Sequence, residues 1–500
     1  MQYGSTRGRG YGASAAQAVA QGICADSGLF VPESFPLVSR EELGSLRGAD
    51  YRERAARVAA PFLSGFSREE IGACVSAAYA EEKFPGGPAP LVSPEPGVWF
   101  LELWHGPTCA FKDLALQLLP RLLTLSLQKI RTGKGAMILV ATSGDTGKAA
   151  LEGFRDVEGT RVAVFYPRRG VSALQERQMV TQEGGNVSVC AVRGNFDDAQ
   201  AGVKRIFADR ALREKIAERG WMFSSANSIN WGRLLPQIVY YFSAWCDLAA
   251  AGALGRDGTV DFCVPTGNFG DILAAYYAKK MGLPVGKLIC ASNANNVLTD
   301  FLTTGVYDRN RAFRATISPS MDILVSSNLE RLLFDLTGGD GERVAGWMGG
   351  LARTGRYRVG DDVLEKLRGL FYAGFCGDEE TKREIREVWE RDRYLCDPHT
   401  AVAARVYRRY RRESGSGAPG VVVSTASPYK FAPDVLSALK SGEERPEDVF
   451  ACVRELSART GTPVPRPIAG LEQKPVRFRG SCGPDEMGRA VLRAAGCAGE

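Results

Sequence analysis

Histidine is nearly absent: the 500-residue chain has two, His105 and His399. Its twelve cysteines are scattered and form no C-x-x-C pair, so no spacing suits a structural metal site. Thiols without a disulfide framework point to a reducing compartment, and cytoplasmic residence is the expectation. No run of about 18 apolar residues occurs, which excludes a membrane-spanning helix. The N-terminal MQYGSTRGRGYGASAAQAVAQG lacks the apolar core of a secretory signal. Charge of either sign is not in large excess: 63 basic and 57 acidic residues give a net +6. The one basic block, RRYRR at 408–412, fits the polar face of a helix, so a nucleic-acid partner gains no support.

What is present is a chain long enough for two or three domains. The first ninety or so residues read as short helices with proline joints, and FPGGPAPLVSPEPG (84–97) is the linker candidate. Beyond it, short apolar runs alternate with helical patterns: 98–103, 136–141, 162–166, 187–192, 260–264, 285–291 and 420–424. Continuous apolar strands separated by helices predict parallel sheets covered on both faces, an α/β class. The glycine-rich 338–355 reads as a loop or mobile excursion.

In open parallel sheets ligands bind beyond the carboxyl ends of the strands. Three turns rich in small and hydroxyl residues fall there: TSGDTG (142–147), GNFGD (267–271) and STASP (424–428). The second lies between a strand and a helix start, where backbone N–H groups and the helix dipole favour an anion such as phosphate. It lacks the GK[ST] ending of a P-loop and is not G-x-G-x-x-G. Each turn alone is equally a tight turn that needs glycine.

Lys112 raises a separate question. In WHGPTCAFKDLA (104–115) it stands after a Gly-Pro turn at the start of an apolar helix, where a cation gains nothing from the helix dipole. A surface pair with Asp113 is one reading; a lysine kept there because it reacts is the other. A reactive lysine, a phosphate turn far downstream and hydroxyl-rich turns together suit pyridoxal 5'-phosphate, which needs an amine for its aldehyde and an anion site for its phosphate. No metal is required.

The chain resembles the threonine synthase family of bacteria and fungi, within the tryptophan-synthase-β-like, fold-type-II enzymes that use pyridoxal phosphate. STRG (5–8), GLFVP (28–32), HGPTCAFKD (105–113), ATSGDTG (141–147), GNFDDAQ (194–200), SANSINWGRLLPQI (225–238), PTGNFGD (265–271), SNLERL (327–332), DPHTAV (397–402) and STASPYKF (424–431) carry the resemblance in the family's order. Trp104, Cys109 and Ser427-Pro428-Tyr429 depart from the usual pattern without removing a reacting group. The resemblance implies two parallel-sheet α/β domains plus a mainly helical N-terminal domain. It divides the chain into an N-terminal domain (1–95), a large cofactor-binding domain (96–135 and 215–460), a small α/β domain (136–214) and a C-terminal tail (461–500).

It further implies that Lys112 is the Schiff-base lysine and catalytic base. Gly267, Asn268 and Phe269 match the phosphate turn, Asp271 matches a further cofactor contact, and Thr425 matches the residue facing the pyridine nitrogen. A hydroxyl there hydrogen-bonds the nitrogen without holding a proton on it, which tempers the ring as an electron sink. The implied reaction turns O-phospho-L-homoserine and water into L-threonine and phosphate, a carbon–oxygen lyase step. Ser143 and Thr146 are candidates for the substrate carboxylate, and Asn227, Ser228, Asn230 and Arg233 for the leaving phosphate. Ser5-Thr6-Arg7 stands as a weaker candidate, with solvated arginine the alternative. Asp197-Asp198 reads as a helix cap, His399 as holding a helix start, and His105 as packing its turn. The partner is a small-molecule substrate, not nucleic acid or membrane, and the chain is expected as a monomer or homodimer. A β-eliminating dehydratase, a cofactor-binding regulatory relative and an α/β phosphate-binding protein without this cofactor are the competing readings.

Overall fold

A computed structural model describes residues 1–496 except Arg9, Arg169, Arg256 and Asp257. Two parallel sheets dominate. The larger has six strands in the order Phe371–Phe375, Val285–Ser292, Val260–Pro265, Gly420–Ser424, Val98–Glu102, Leu91–Glu95. All neighbours are parallel except the last pair. The smaller has five parallel strands, Ser481–Cys482, Val187–Val192, Thr160–Pro167, Gly135–Ala141 and Trp221–Ser224. Their central strands are buried along almost their whole length, as expected where helices cover both faces and β-branched runs replace alternation.

The N-terminal region opens with a three-stranded antiparallel sheet of Tyr11–Ala13, Tyr3–Ser5 and Phe30–Pro32, followed by helices from Arg40 to Ala78. Helices Arg40–Leu46, Tyr51–Ala59 and Arg68–Ala78 each start on a Ser or Asp whose side chain accepts from the third helical N–H, an arrangement worth about 1 kcal/mol per helix. Trp231–Ala250 is buried nearly all round and packs on Tyr51–Ala59, Lys112–Leu116 and Gly270–Lys280. It is therefore an axle rather than an amphipathic cover.

Four expectations are corrected. The Pro/Gly stretch 84–97 is not a free linker: Leu91–Glu95 forms the antiparallel edge of the six-stranded sheet, and an edge strand is where Pro94 is tolerated. The boundary at 214/215 cuts the small domain, because Trp221–Ser224 pairs with Gly135–Ala141. The tail from 461 is no appendage. Ser481–Cys482 extends the five-stranded sheet, and Met487–Ala494 packs on its strands; residues 497–500 of that segment lie outside the described residues. Finally, the glycine-rich 338–355 contains a helix, Gly341–Thr354. Asp340 caps it, Val344 and Leu351 bury its inner face, and packing outweighs the roughly 1 kcal/mol each interior glycine costs. Gly341 is needed for space, since a Cβ there would come within 2.4 Å of the Gly8 carbonyl oxygen.

Candidate active site

The carboxyl ends of four parallel strands converge. Val98–Glu102 leads toward Lys112, Gly135–Ala141 to the 142–147 turn, Val260–Pro265 to the 267–271 turn, and Gly420–Ser424 to Thr425. The Thr425 carbonyl accepts from the Phe111 N–H at 2.8 Å, and Ser427 N–H donates to the Cys109 carbonyl at 3.1 Å. These bonds, with Trp104 Nε1 donating to the Ser424 hydroxyl 320 residues away, fasten the lysine helix to the end of strand Gly420–Ser424. Cys109 and Phe269, neither of them glycine, adopt positive φ of 59° and 63°. Such backbone strain concentrates at functional sites.

Lys112 does not pair with its neighbour Asp113. That carboxyl accepts from the N–H and hydroxyl of Thr108 and is pushed up to about 6 by burial. Lys112 Nζ instead faces the small domain, 3.4 Å from Asp145 Oδ2 and 3.4 Å from the Ser320 hydroxyl. Asp145 is claimed more closely by Lys430, whose Nζ lies 2.6 Å from Oδ1, and it accepts from Gln175 Nε2 at 2.9 Å. Burial alone would raise the Asp145 carboxyl, but Lys430 and Lys112 reverse that and hold it well below the usual carboxylate range. Burial lowers the Lys112 ammonium first; Asp145 opposes the shift, while Lys430 and Arg233 reinforce it. The amine is thereby biased toward its neutral, reactive form.

Arg233 is 2% exposed, with Nη1 donating to the Ala226 carbonyl at 2.6 Å and a buried Nε that has no partner. Burial pushes its guanidinium down to about 10, the mark of a cation that lacks an anion. Asn227 and Ser228 are half-buried beside it. Asn230 is different and is corrected here. Its amide donates to the carbonyls of Val19 and Ser225 while Oδ1 caps helix Trp231–Ala250, so the side chain is spent on structure. Ser143 and Thr146 are half-buried on the opposite turn, where Thr142 Oγ1 accepts from the N–H groups of Gly144 and Gly147.

The 267–271 turn enters helix Gly270–Lys280 through Phe269, with no side-chain cap. Gly267 lies against the Ser320 carbonyl, where a Cβ would sit at 2.6 Å, and Asn268 is exposed. An uncapped helix start reached through a glycine turn fits a phosphate. Asp271 points inward: the Tyr240 and Tyr241 hydroxyls donate to its Oδ1, Oδ2 is buried without a partner, and burial pushes the carboxyl up to about 6. The partnerless groups, the surplus of buried cations and the uncapped turn all fit a cofactor with an aldehyde and a phosphate.

Sequence reasoning missed Asp145, Lys430 and Ser320. Asp145 lies inside the 142–147 turn and Lys430 two residues beyond the 424–428 turn, and a charged residue in or beside a hydroxyl-rich turn was the available signal. Ser5-Thr6-Arg7 is not a solvated arginine: Thr6 and Arg7 both donate to buried Glu330, which ties the N-terminus to helix Leu329–Leu336. Asp198 closes a capping box on Asn195, and His105 stacks on Trp104 beside Glu102. No group of three or more His, Cys, Asp or Glu among the described residues could hold a metal ion.

Residues 82–426 match the profile of the pyridoxal-phosphate-dependent enzymes, and with the two parallel sheets this defines the class: the chain belongs to the fold-type-II α/β family of pyridoxal-phosphate-dependent enzymes. The flanking segments are more particular, since 2–79 match the N terminus of threonine synthase and 400–481 its C-terminal region. The chain is 43% identical over 435 residues to threonine synthase of Pseudomonas aeruginosa, covering 86% of this chain and 89% of that protein. It is 42% identical over 437 residues to human threonine synthase-like 1, covering 85% of this chain but 58% of that protein's length. The crystal structure of pyridoxal-phosphate-bound threonine synthase from Brucella melitensis superposes with a TM-score of 0.86 at 38% identity, covering 99% of each chain. The chain belongs to the threonine synthase family.

Proposed function

We propose that the chain converts O-phospho-L-homoserine and water into L-threonine and inorganic phosphate, with Lys112 as the reactive amine. One observation carries the reading: Lys430 and Arg233 are buried and Lys112 is nearly so, with one ionised carboxylate, Asp145, facing the two lysines. Buried charge is costly unless paired, and a substrate bearing a carboxylate and a phosphate supplies the missing anions. Family membership from residue 2 to 481 supports it as well.

Gly267, Asn268 and Phe269 would hold the cofactor phosphate, Asp271 would lie behind that turn, Thr425 would face the ring nitrogen, and Lys112 Nζ would hold the aldehyde carbon. When bound, pyridoxal phosphate supplies a conjugated electron sink beside the substrate amine. Lys112, biased toward its neutral form, takes the proton from the substrate α-carbon. Ser143 and Thr146 bind the α-carboxylate. Asn227, Ser228 and the free Nε of Arg233 receive the departing phosphate. Every described cysteine is a free thiol, which supports action in the reducing cytoplasm, and the reading needs no partner beyond the small-molecule substrate, whether the chain is a monomer or a homodimer. No helix among the described residues is long and apolar enough to cross a membrane.

The test is threonine and phosphate formation from O-phospho-L-homoserine, with and without added pyridoxal phosphate. Release of 2-oxobutyrate from threonine instead would indicate a dehydratase. The similarity to human threonine synthase-like 1 favours a second reading, a cofactor-binding relative with another role; bound cofactor without phosphate release would support it.

A further inference from the structure

Ser320 sits on a single 3-10 turn, Pro319–Met321, in the irregular stretch between strand Val306–Asp308 and helix Leu329–Leu336. Three of its groups point at different parts of the site. The hydroxyl accepts from Lys112 Nζ at 3.4 Å and donates to Asp145 Oδ2 at 3.2 Å. The carbonyl oxygen closes the space beside Gly267. The backbone N–H donates to His399 Nε2 at 3.1 Å. One residue therefore touches the reactive amine, the carboxylate opposite it and the phosphate turn.

The histidine contact fixes a protonation pattern. A backbone N–H can only donate, so Nε2 must carry a lone pair and Nδ1 the proton. Nδ1 lies 2.5 Å from Asp397 Oδ2. Asp397 is fully buried and caps helix Pro398–Ser414, accepting from the N–H groups of His399 and Thr400. The imidazole is 2% exposed and rests edge-on against Phe431, so its ring is held in place on both its polar and apolar sides. The same stretch is pinned a second time at Asp322, which accepts from the amides of Asn293 and Asn295 and from the Thr316 N–H. A loop held at both points gives Ser320 little freedom.

We propose that the Ser320 hydroxyl aims Lys112 Nζ, and that Asp397 and His399 are positioning residues which fix Ser320 through its backbone N–H. The proposal rests on Lys112 being the reactive amine. Lysine has a long flexible stem, and the two acceptors facing Nζ, Asp145 and Ser320, set the direction of its lone pair once the proton is lost. Asp145 is shared with Lys430, so the serine supplies the contact that Lys430 does not compete for. The histidine acts here as a hydrogen-bond acceptor within the fold, not as an acid or base toward substrate.

The experiment compares Ser320→Ala, His399→Ala and His399→Gln, the last of which retains an oxygen able to accept from the Ser320 N–H. Apoprotein is mixed with pyridoxal phosphate, quenched with borohydride at intervals, and the adduct on Lys112 is quantified by mass spectrometry. Turnover of O-phospho-L-homoserine and the thermal midpoint are measured in parallel. Ser320→Ala and His399→Ala are expected to slow both capture and kcat about tenfold, the effect of one directed hydrogen bond, with little change in KM. His399→Gln is expected to recover most of that loss. A histidine that merely stabilises the fold would lower the midpoint and leave capture by the folded protein unchanged. Capture within about twofold of the unmodified rate in both alanine variants, or an adduct on another lysine, overturns the proposal. If His399→Ala does not fold, Ser320→Ala and His399→Gln decide it alone. Normal capture without phosphate release by the unmodified protein would refute the proposed reaction, and the variants' capture rates would still judge Ser320.

Discussion

Two turns of the same construction, strand to glycine turn to helix, both reach Ser320 and treat their aspartates in opposite ways. At 142–147, Asp145 lies between two lysines and stays ionised. At 267–271, Asp271 has two tyrosine hydroxyls and no cation in contact, and burial drives it toward its neutral form. Backbone geometry is shared; side chains arriving from distant segments decide the charge. One turn thus belongs to an ionic hub that faces the reactive amine, and the other sets an uncapped helix start beside a carboxyl whose ionisation burial opposes.

Lys112→Ala takes away the amine that both turns face and is expected to cut turnover roughly 10³-fold or more, leaving cofactor held only noncovalently; phosphate release and the mass of the reduced protein measure both. Asp145→Asn strips the hub of its carboxylate and leaves the buried Lys430 ammonium uncompensated beside Lys112. We expect a loss of about 3 kcal/mol in stability to urea, and unchanged unfolding would mean that the hub is not what holds the two domains in register. Gly267→Ala acts on the other turn by driving a methyl against the Ser320 carbonyl. It is expected to cost about 1–3 kcal/mol in stability and to weaken pyridoxal phosphate binding, as read by equilibrium titration. Asp271→Asn should produce the smallest effect, with a definite sign. A carboxyl whose folded value of about 6 lies above its ordinary 3.8 keeps its proton in the folded chain longer than in the unfolded one. Stability from this group is complete below about pH 4 and declines as pH rises through about 6, by roughly 2–3 kcal/mol in all. In the apoprotein, Asp271→Asn should therefore flatten the stability profile between those pH values, whereas Asp145, whose shift has the opposite direction, contributes stability that is lost on acidification.

Much of this arrangement was legible in the chain. Runs such as 136–141 and 420–424 fall on observed strands, because residues buried on both faces leave a nearly uninterrupted apolar signal. Lys112 and the 267–271 turn stood out because a cation at a helix start and a glycine turn before a helix are locally odd. Trp221–Ser224 and Phe371–Phe375 went unread: each is an outer strand with only partial burial, so its pattern is short and mixed. The 338–355 helix was obscured by glycines that serve close packing and capping rather than disorder. Asn230 was misassigned because an amide that caps a helix and one that binds a ligand look alike until the partner carbonyls of Val19 and Ser225 are known. The site's electrostatics were hidden for one reason: Lys430, Asp145 and Lys112 come from three separate segments, and no local window contains their contacts.

The outer edge of the five-stranded sheet is closed by Ser481–Cys482, whose Cys482 sulfur rests 3.3 Å from that of Cys190, 292 residues earlier. While the polypeptide is being made, the strand Val187–Val192 emerges long before the segment that will cover it, and it waits with open amide and carbonyl groups, a state prone to pairing with a wrong neighbour. Maturation of the sheet that leads to Asp145 is therefore tied to the synthesis of a segment 292 residues further along the chain.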